Sequence, residues 1–288
     1  MKLRNRVAVI SGANRGLGEA VARAFAKEGA SLLLIARDAA LLRRVADSLP
    51  QEAHQNIAWT SADVSNLTDV ETVRDQVVSG LSRVDILVNN AGIYGPIGRF
   101  EEVDWQEWCD AININLLGTV AMTRALVPMM KQQGYGKIIN LSGGGATAPL
   151  PRFSAYAASK TAIVRFTETI AEELAASHID VNAIAPGALN TRLLDQVLEA
   201  GPEKTGPDFY QRSLKQREEG GASPDLAADL AVFLASAESD GITGRLISAV
   251  WDDWRNFPGY RERLQKSDVF TLRRIVPEDR GWEPKSCT

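Results

Sequence analysis

Residues 7–18 read VAVISGANRGLG, and the order of those residues decides the fold. Val7–Ile10 is a continuous apolar run with no polar alternation, as expected of a strand covered on both faces. Gly12, Gly16 and Gly18 follow it, and a helical pattern opens at Glu19. Glycines at such a junction let the backbone turn tightly. They also let an anion approach the free N–H groups at the helix N-terminus. The spacing is G-x-x-x-G-x-G rather than the commoner G-x-G-x-x-G. Alone, it fits a purely structural turn as well as a pyrophosphate cradle.

Further along the chain the same alternation repeats. SLLLIA (31–36), NIAWTSA (56–62), DILVNN (85–90), KIINLS (137–142) and HIDVNAIAP (178–186) read as strands. Between them lie helical patterns at Glu19–Glu28, Leu67–Ser79, Trp105–Lys131 and Ser154–Ser177. A last helix over Pro224–Ser236 and a strand near Ile242–Val250 complete the set. This order predicts one α/β domain over residues 1–250, with a doubly wound parallel sheet of the Rossmann type and right-handed crossovers. Residues 251–288 are polar, carry Trp251, Trp254 and Trp282, and are expected to form an extension packed on the domain or on a partner subunit.

Composition narrows the function classes. The chain has 288 residues, 45% of them hydrophobic, enough for a large core. A net charge of -4 and a pI near 5.4 are not a nucleic-acid footprint, which requires clustered basic excess. Two cysteines, Cys109 and Cys287, are too few and too scattered for a disulfide framework or a zinc site, and we expect a buried thiol and a tail thiol. The N-terminus, MKLRNR, is charged and lacks a signal-peptide pattern. No apolar run nears the roughly 18 residues of a membrane span. A cytoplasmic protein is expected, with no metal and no membrane partner, acting on a small molecule as a homodimer or homotetramer.

Tyr156 and Lys160 are four residues apart within a helical pattern, so both face one side. A phenol with its ordinary pKa near 10 is a weak acid–base group at neutral pH, and a neighbouring ammonium favours the phenolate. Asn89-Asn90-Ala91-Gly92 closes the fourth strand, at the edge where ligands of open α/β sheets bind.

Taken together, the chain resembles the short-chain dehydrogenase/reductase family from about Lys2 to Ser248. The resemblance rests on SGANRGLG, Asp63-Val64, NNAG, Asn115 within INLLG, Tyr156-x-x-x-Lys160, and Pro186-Gly187 followed by Thr191. It implies a nicotinamide cofactor held by Gly12, Asn14, Arg15, Gly16, Leu17, Gly18, Asp63, Val64, Asn90, Ala91, Gly92, Tyr156, Lys160, Pro186, Gly187 and Thr191. It implies that Tyr156 exchanges a proton with a carbonyl, that Lys160 tunes the phenol, and that Asn115 bends its helix and binds a water. An acidic residue about twenty positions beyond the loop would read a ribose hydroxyl, which points to Asp38. The strand, however, ends at Ala36, so Arg37 stands in that place. Arg37, with Arg15, would grip a 2′-phosphate, so NADP(H) is expected over NAD(H).

One position departs from the family. Its catalytic serine is expected thirteen residues before the tyrosine, where this chain has Gly143. Ser142 is one step out of register and would face away from the site in a regular strand. A bulge made by the glycine run 143–145 is expected to turn it inward. Otherwise a backbone N–H substitutes, or no second donor exists.

The segment Leu189–Ser223 corresponds to the family's substrate lid. Its charge favours a hydrophilic substrate, such as a keto-sugar or a phosphorylated metabolite; alternatively, those charges simply face water. Tyr94 and Phe153 are expected to wall the pocket. WDDWRNFPGY (251–260) takes the place of the Asp-Gly-Gly ending common in the family. The activity expected is carbonyl–alcohol interconversion, with a redox-neutral epimerase or a decayed cofactor-binding subunit as alternatives.

Overall fold

The computed structural model describes residues 1–282. Seven strands form one parallel sheet in the order β3-β2-β1-β4-β5-β6-β7. They are β1 (Val7–Ser11), β2 (Ser31–Ala36), β3 (Ile57–Ser61), β4 (Ile86–Asn89), β5 (Gly136–Leu141), β6 (Ile179–Ala185) and β7 (Leu246–Ser248). The chain winds outward from β1 to β3, then returns beside β1 as β4 and winds the other way. The reversal opens a crevice at the carboxyl ends of β1 and β4, where the glycine loop and NNAG both emerge.

The continuous apolar strands are explained by two cores. Ala8, Ile10, Leu32 and Leu34 face one layer, packed under α1 (Gly16–Lys27) and α9 (Pro224–Ala235). Val9, Leu33 and Ile35 face the other, beneath α3 (Leu67–Gln76), α5 (Gly118–Gln133) and α6 (Ser154–Leu174). Strand side chains still alternate, but both faces are dry.

Several elements differ from expectation. A helix unforeseen in the sequence, α2 (Ala39–Ser48), follows β2, and its N-cap is Asp38, whose carboxylate accepts from Leu41 N at 3.0 Å. The long helix expected from Trp105 divides into α4 (Trp105–Ile112), a π-turn over Asn113–Leu117, and α5. The lid folds as two helices, α7 (Arg192–Thr205), broken at Gly201, and α8 (Pro207–Glu219). β7 spans three residues, shorter than the strand expected over 242–250.

Beyond β7 the chain folds back on its own domain. Trp254, Phe257 and Leu264, the last in the short helix α10 (Arg261–Gln265), join the core that contains α9. The guanidinium of buried Arg245 donates to the main-chain oxygens of Leu264, Ser267 and Val269, which fixes that segment. Trp282 is exposed. Cys109 is a free, half-buried thiol on α4, and Cys287 lies outside the described residues.

Candidate active site

The glycine loop is held from β4. The Ser11 hydroxyl accepts from Asn90 N and Ala91 N, both at 3.1 Å, and Asn90 Nδ2 donates to Ser11 O and Gly12 O, both at 3.0 Å. A Cβ on Gly18 would lie 2.2 Å from Gly12 O, and one on Gly12 would lie 2.8 Å from Asn90 Nδ2. Gly16 has φ +57°, a left-handed conformation. Packing therefore requires Gly12 and Gly18, and the turn requires Gly16. Ser11 was not singled out in the sequence, since a serine ending a strand carries no distinctive signal.

A cleft of about 1170 Å³ runs across the carboxyl ends of the strands. Gly12, Asn14, Arg15, Gly16 and Leu17 line one end, with Arg37, Asp63 and Val64 beside them. Asn90, Ala91 and Gly92 form the floor, and Ser142, Tyr156 and Lys160 follow. Pro186, Gly187 and Thr191 line it as well, Thr191 next to Gly16. Gly18 lies within α1 behind the loop. Asn115 backs onto the floor: a Cβ on Gly92 would lie 3.1 Å from Asn115 Oδ1 and 3.5 Å from Lys160 Nζ. Glycine at 92 thus keeps the approach to Lys160 open.

Arg37 is exposed and lies 3.7 Å from the Asp63 carboxylate. Burial raises the pKa of that carboxyl, but hydrogen bonds from the Ser65 side chain and backbone, with Arg37, outweigh it and hold the group below its ordinary value.

Asn115 sits inside the π-turn, fully buried. Its side chain accepts from Ile93 N at 2.8 Å and donates to Ile93 O and Ser159 Oγ, each at 2.9 Å. Ser159 Oγ in turn donates to Tyr156 O at 2.8 Å. One asparagine therefore joins the loop after β4 to the turn of α6 that carries Tyr156. Its own carbonyl accepts from Thr119 Oγ1 at 2.8 Å.

Tyr156 and Lys160 share one buried face of α6, as their spacing predicts. Lys160 Nζ donates to Leu141 O at 2.7 Å and lies 5.6 Å from the centre of the Tyr156 ring. Burial lowers its pKa to about 8. The phenol moves the other way from the expected lowering: burial, and secondarily Tyr94, push it above its ordinary value. Desolvation of the anion outweighs an ammonium already committed to a carbonyl.

The expected bulge at Ser142 does not form. Ser142 N donates to Ile184 O at 2.9 Å, continuing the regular ladder, and its hydroxyl points to Lys160 O at 3.4 Å. Gly143 is the more telling position. A Cβ there would lie 2.4 Å from the Tyr156 hydroxyl. The phenol occupies the room a serine at 143 would need.

On the substrate side, Phe153, Tyr156 and Val197 form an apolar cluster with Tyr94, Ile97, Leu150 and Phe209. Several lid charges pair with each other: Arg192 with Glu199 at 2.8 Å, Lys215 with Glu219 at 3.7 Å, and Arg217 with Asp195. Arg192, Asp195 and Arg217 also line the cleft. Trp251 is 85% exposed and lines the mouth of the cleft.

A parallel sheet with a glycine loop at its reversal and a buried tyrosine–lysine pair beside it defines a Rossmann-type oxidoreductase. Comparison with known proteins agrees. Residues 6–201 match the model of the family described as short chain dehydrogenase. The chain is 36% identical over 252 residues to the 3-oxoacyl-acyl-carrier-protein reductase of Thermotoga maritima, covering 86% of this chain and 97% of that one. Among solved structures, levodione reductase is similar at a TM-score of 0.78 and 27% identity, covering 85% of this chain and 96% of that one. NAD+-bound xylitol dehydrogenase is similar at a TM-score of 0.79 and 26% identity, covering 86% and 98%. The chain belongs to the short-chain dehydrogenase family, whose members are NAD(P)-dependent dehydrogenases and reductases. Among the described residues, no helix is long and apolar enough to cross a membrane.

Proposed function

We propose that this protein interconverts a carbonyl and an alcohol with NADP(H), Tyr156 acting as the acid–base group. The observation that carries the reading is the convergence of buried Tyr156 and Lys160 with the glycine loop in one cleft. The residues fit the cofactor: Gly12, Asn14, Arg15, Gly16 and Leu17 line the cleft at the α1 N-terminus, and glycine at 92 keeps the approach to Lys160 open. The N-terminus of α1 would hold the pyrophosphate, with Arg15 and Arg37 at a 2′-phosphate and Asp63 and Val64 at the adenine. Asn90, Ala91, Gly92, Lys160, Pro186, Gly187 and Thr191 would hold the ribose and nicotinamide.

NADPH supplies the hydride when bound. Tyr156 gives its proton to the carbonyl oxygen as the alcohol forms, within an apolar wall that excludes water. Lys160, charged below about pH 8, offsets the phenolate that results. Asn115 and Ser159 fix the α6 turn, and Ser142, turned to Lys160 O, positions the same helix. The apolar cluster supports a ketone with an aromatic or aliphatic flank, and Arg192, Asp195 and Arg217 of the lid leave room in the same cleft for a polar group on that substrate.

The test is NADPH and NADH oxidation with ethyl benzoylformate, diacetyl and fructose. NADPH with the aryl ketone should be fastest and fructose slowest. Tyr156→Phe should lower kcat by about 10²–10⁴, the range of general acid–base catalysis, with NADPH affinity retained. If no ketone oxidises either cofactor, or if Tyr156→Phe stays fully active, the reading is wrong.

A further inference from the structure

Carbonyl reduction benefits from a second hydrogen bond to the oxygen, because charge develops there before the proton arrives. Neither residue expected to provide it is placed to do so. Position 143 has no side chain and no room for one beside the Tyr156 hydroxyl. Ser142 directs its hydroxyl to a main-chain carbonyl of α6.

Tyr94 is placed for the task. It follows Gly92 by two residues, and its ring stands edge-on to Tyr156, with centres 4.7 Å apart. Phe153 packs against the same ring, with centres 5.1 Å apart. Its orientation is therefore set by two aromatic neighbours. It lines the same cleft as Gly143 and Tyr156. Its backbone is fixed as well. The preceding residue, Ile93, is held at both N and O by Asn115, the residue whose other bond secures the Tyr156 turn. The following residue, Gly95, turns at φ +71°, where a Cβ would lie 2.6 Å from the Ala111 Cβ. Two phenols are thus fixed to one asparagine, a preorganised arrangement.

We propose that the Tyr94 hydroxyl donates the second hydrogen bond to the substrate carbonyl oxygen, replacing the serine hydroxyl that position 143 lacks. This inference rests on Tyr156 as the proton donor. The roles divide cleanly: Tyr156 transfers its proton to the oxygen, and Tyr94 keeps its own. Burial alone raises the Tyr94 phenol to about 12, with no hydrogen bond or charge contributing, so it stays neutral and uncommitted as a donor. A sequence pattern keyed to serine does not reveal it, because the donor comes from the loop after β4 rather than from the end of β5.

The experiment is single-turnover NADPH oxidation with ethyl benzoylformate, or with the panel ketone reduced fastest, comparing wild type, Tyr94→Phe and Tyr156→Phe. Phenylalanine preserves the ring contacts and removes only the hydroxyl. Tyr94→Phe should lower the hydride-transfer rate by on the order of 10²-fold, the effect of losing one oxyanion donor, with NADPH Kd and Tm unchanged. A wild-type rate in Tyr94→Phe, or a change in KM alone, beside an inactive Tyr156→Phe, overturns the Tyr94 assignment and leaves the parent reading intact. If Tyr156→Phe also turns over normally, or no ketone is reduced, both fall.

Discussion

The two edges of the sheet bury charge in opposite ways. At the amino edge, the fully buried Asp85 carboxylate receives Arg6 at 3.0 Å, Arg83 at 2.6 and 2.9 Å, and Val7 N at 2.9 Å. Beside it, Lys137 in β5 is 1% exposed and lies between Asp180 at 2.6 Å and Asp240 at 2.7 Å. At the carboxyl edge of the same strand, Lys160 is 4% exposed, and a single carbonyl receives it. Burial is the only cause of its lowered pKa; no carboxylate opposes it. Paired charge holds strands together, whereas an unpaired ammonium costs stability and is available to a developing anion.

The same substitution at the two lysines tests this contrast. Lys137→Met should destabilise the fold by about 3 kcal/mol, because it leaves the largely buried Asp180 without its cation. Urea denaturation measures the loss, and kcat per folded molecule should be unaffected. A neutral result would mean that the amino-edge pairs do not stabilise.

Lys160→Met should do the reverse, abolishing turnover while stabilising the fold by about 2 kcal/mol at pH 7. The pH dependence follows from the lowered pKa. Below about pH 8 the lysine is charged in both states and its burial costs the fold in full. Between about 8 and the ordinary 10.5 the unfolded chain holds more protons, so wild-type stability rises with pH. The advantage of the methionine variant should therefore shrink across that window in paired denaturation curves. A Lys160→Met protein destabilised like Lys137→Met would break the comparison.

The smallest effect is expected at the exposed rim of the cleft. Arg37 is 64% exposed. Arg37→Ala should weaken NADPH by about 1.5 kcal/mol, the low end for a charged hydrogen bond, and leave NADH nearly unchanged in a fluorescence titration. Equal losses for the two cofactors would remove the basis for the NADP(H) preference.

Some of these positions were legible in the sequence and some were not. Tyr156 and Lys160 were, because helical spacing alone places them on one face. Strand length also placed Arg37 rather than Asp38 just past the end of β2; Arg37 lines the cleft, and Asp38 caps a helix. The bulge expected at Ser142 is absent, because glycine permits a bulge without requiring one. Lid composition pointed to a polar substrate; the structure sets paired lid charges, among them Arg192, Asp195 and Arg217, along the same cleft as an apolar cluster that the sequence did not reveal.

By itself the sequence determined the doubly wound parallel sheet, the glycine turn after its first strand and the shared helix face of Tyr156 and Lys160. Those depend on local periodicity, turn residues and fixed spacings along one chain. Only the tertiary structure decided that the Tyr156 hydroxyl fills the space at Gly143, that Asn115 ties Ile93 to the Tyr156 turn, and that Tyr94 stands against Tyr156. Those are contacts between elements far apart in sequence. Their distances are set by how strands and helices pack, which no local pattern encodes.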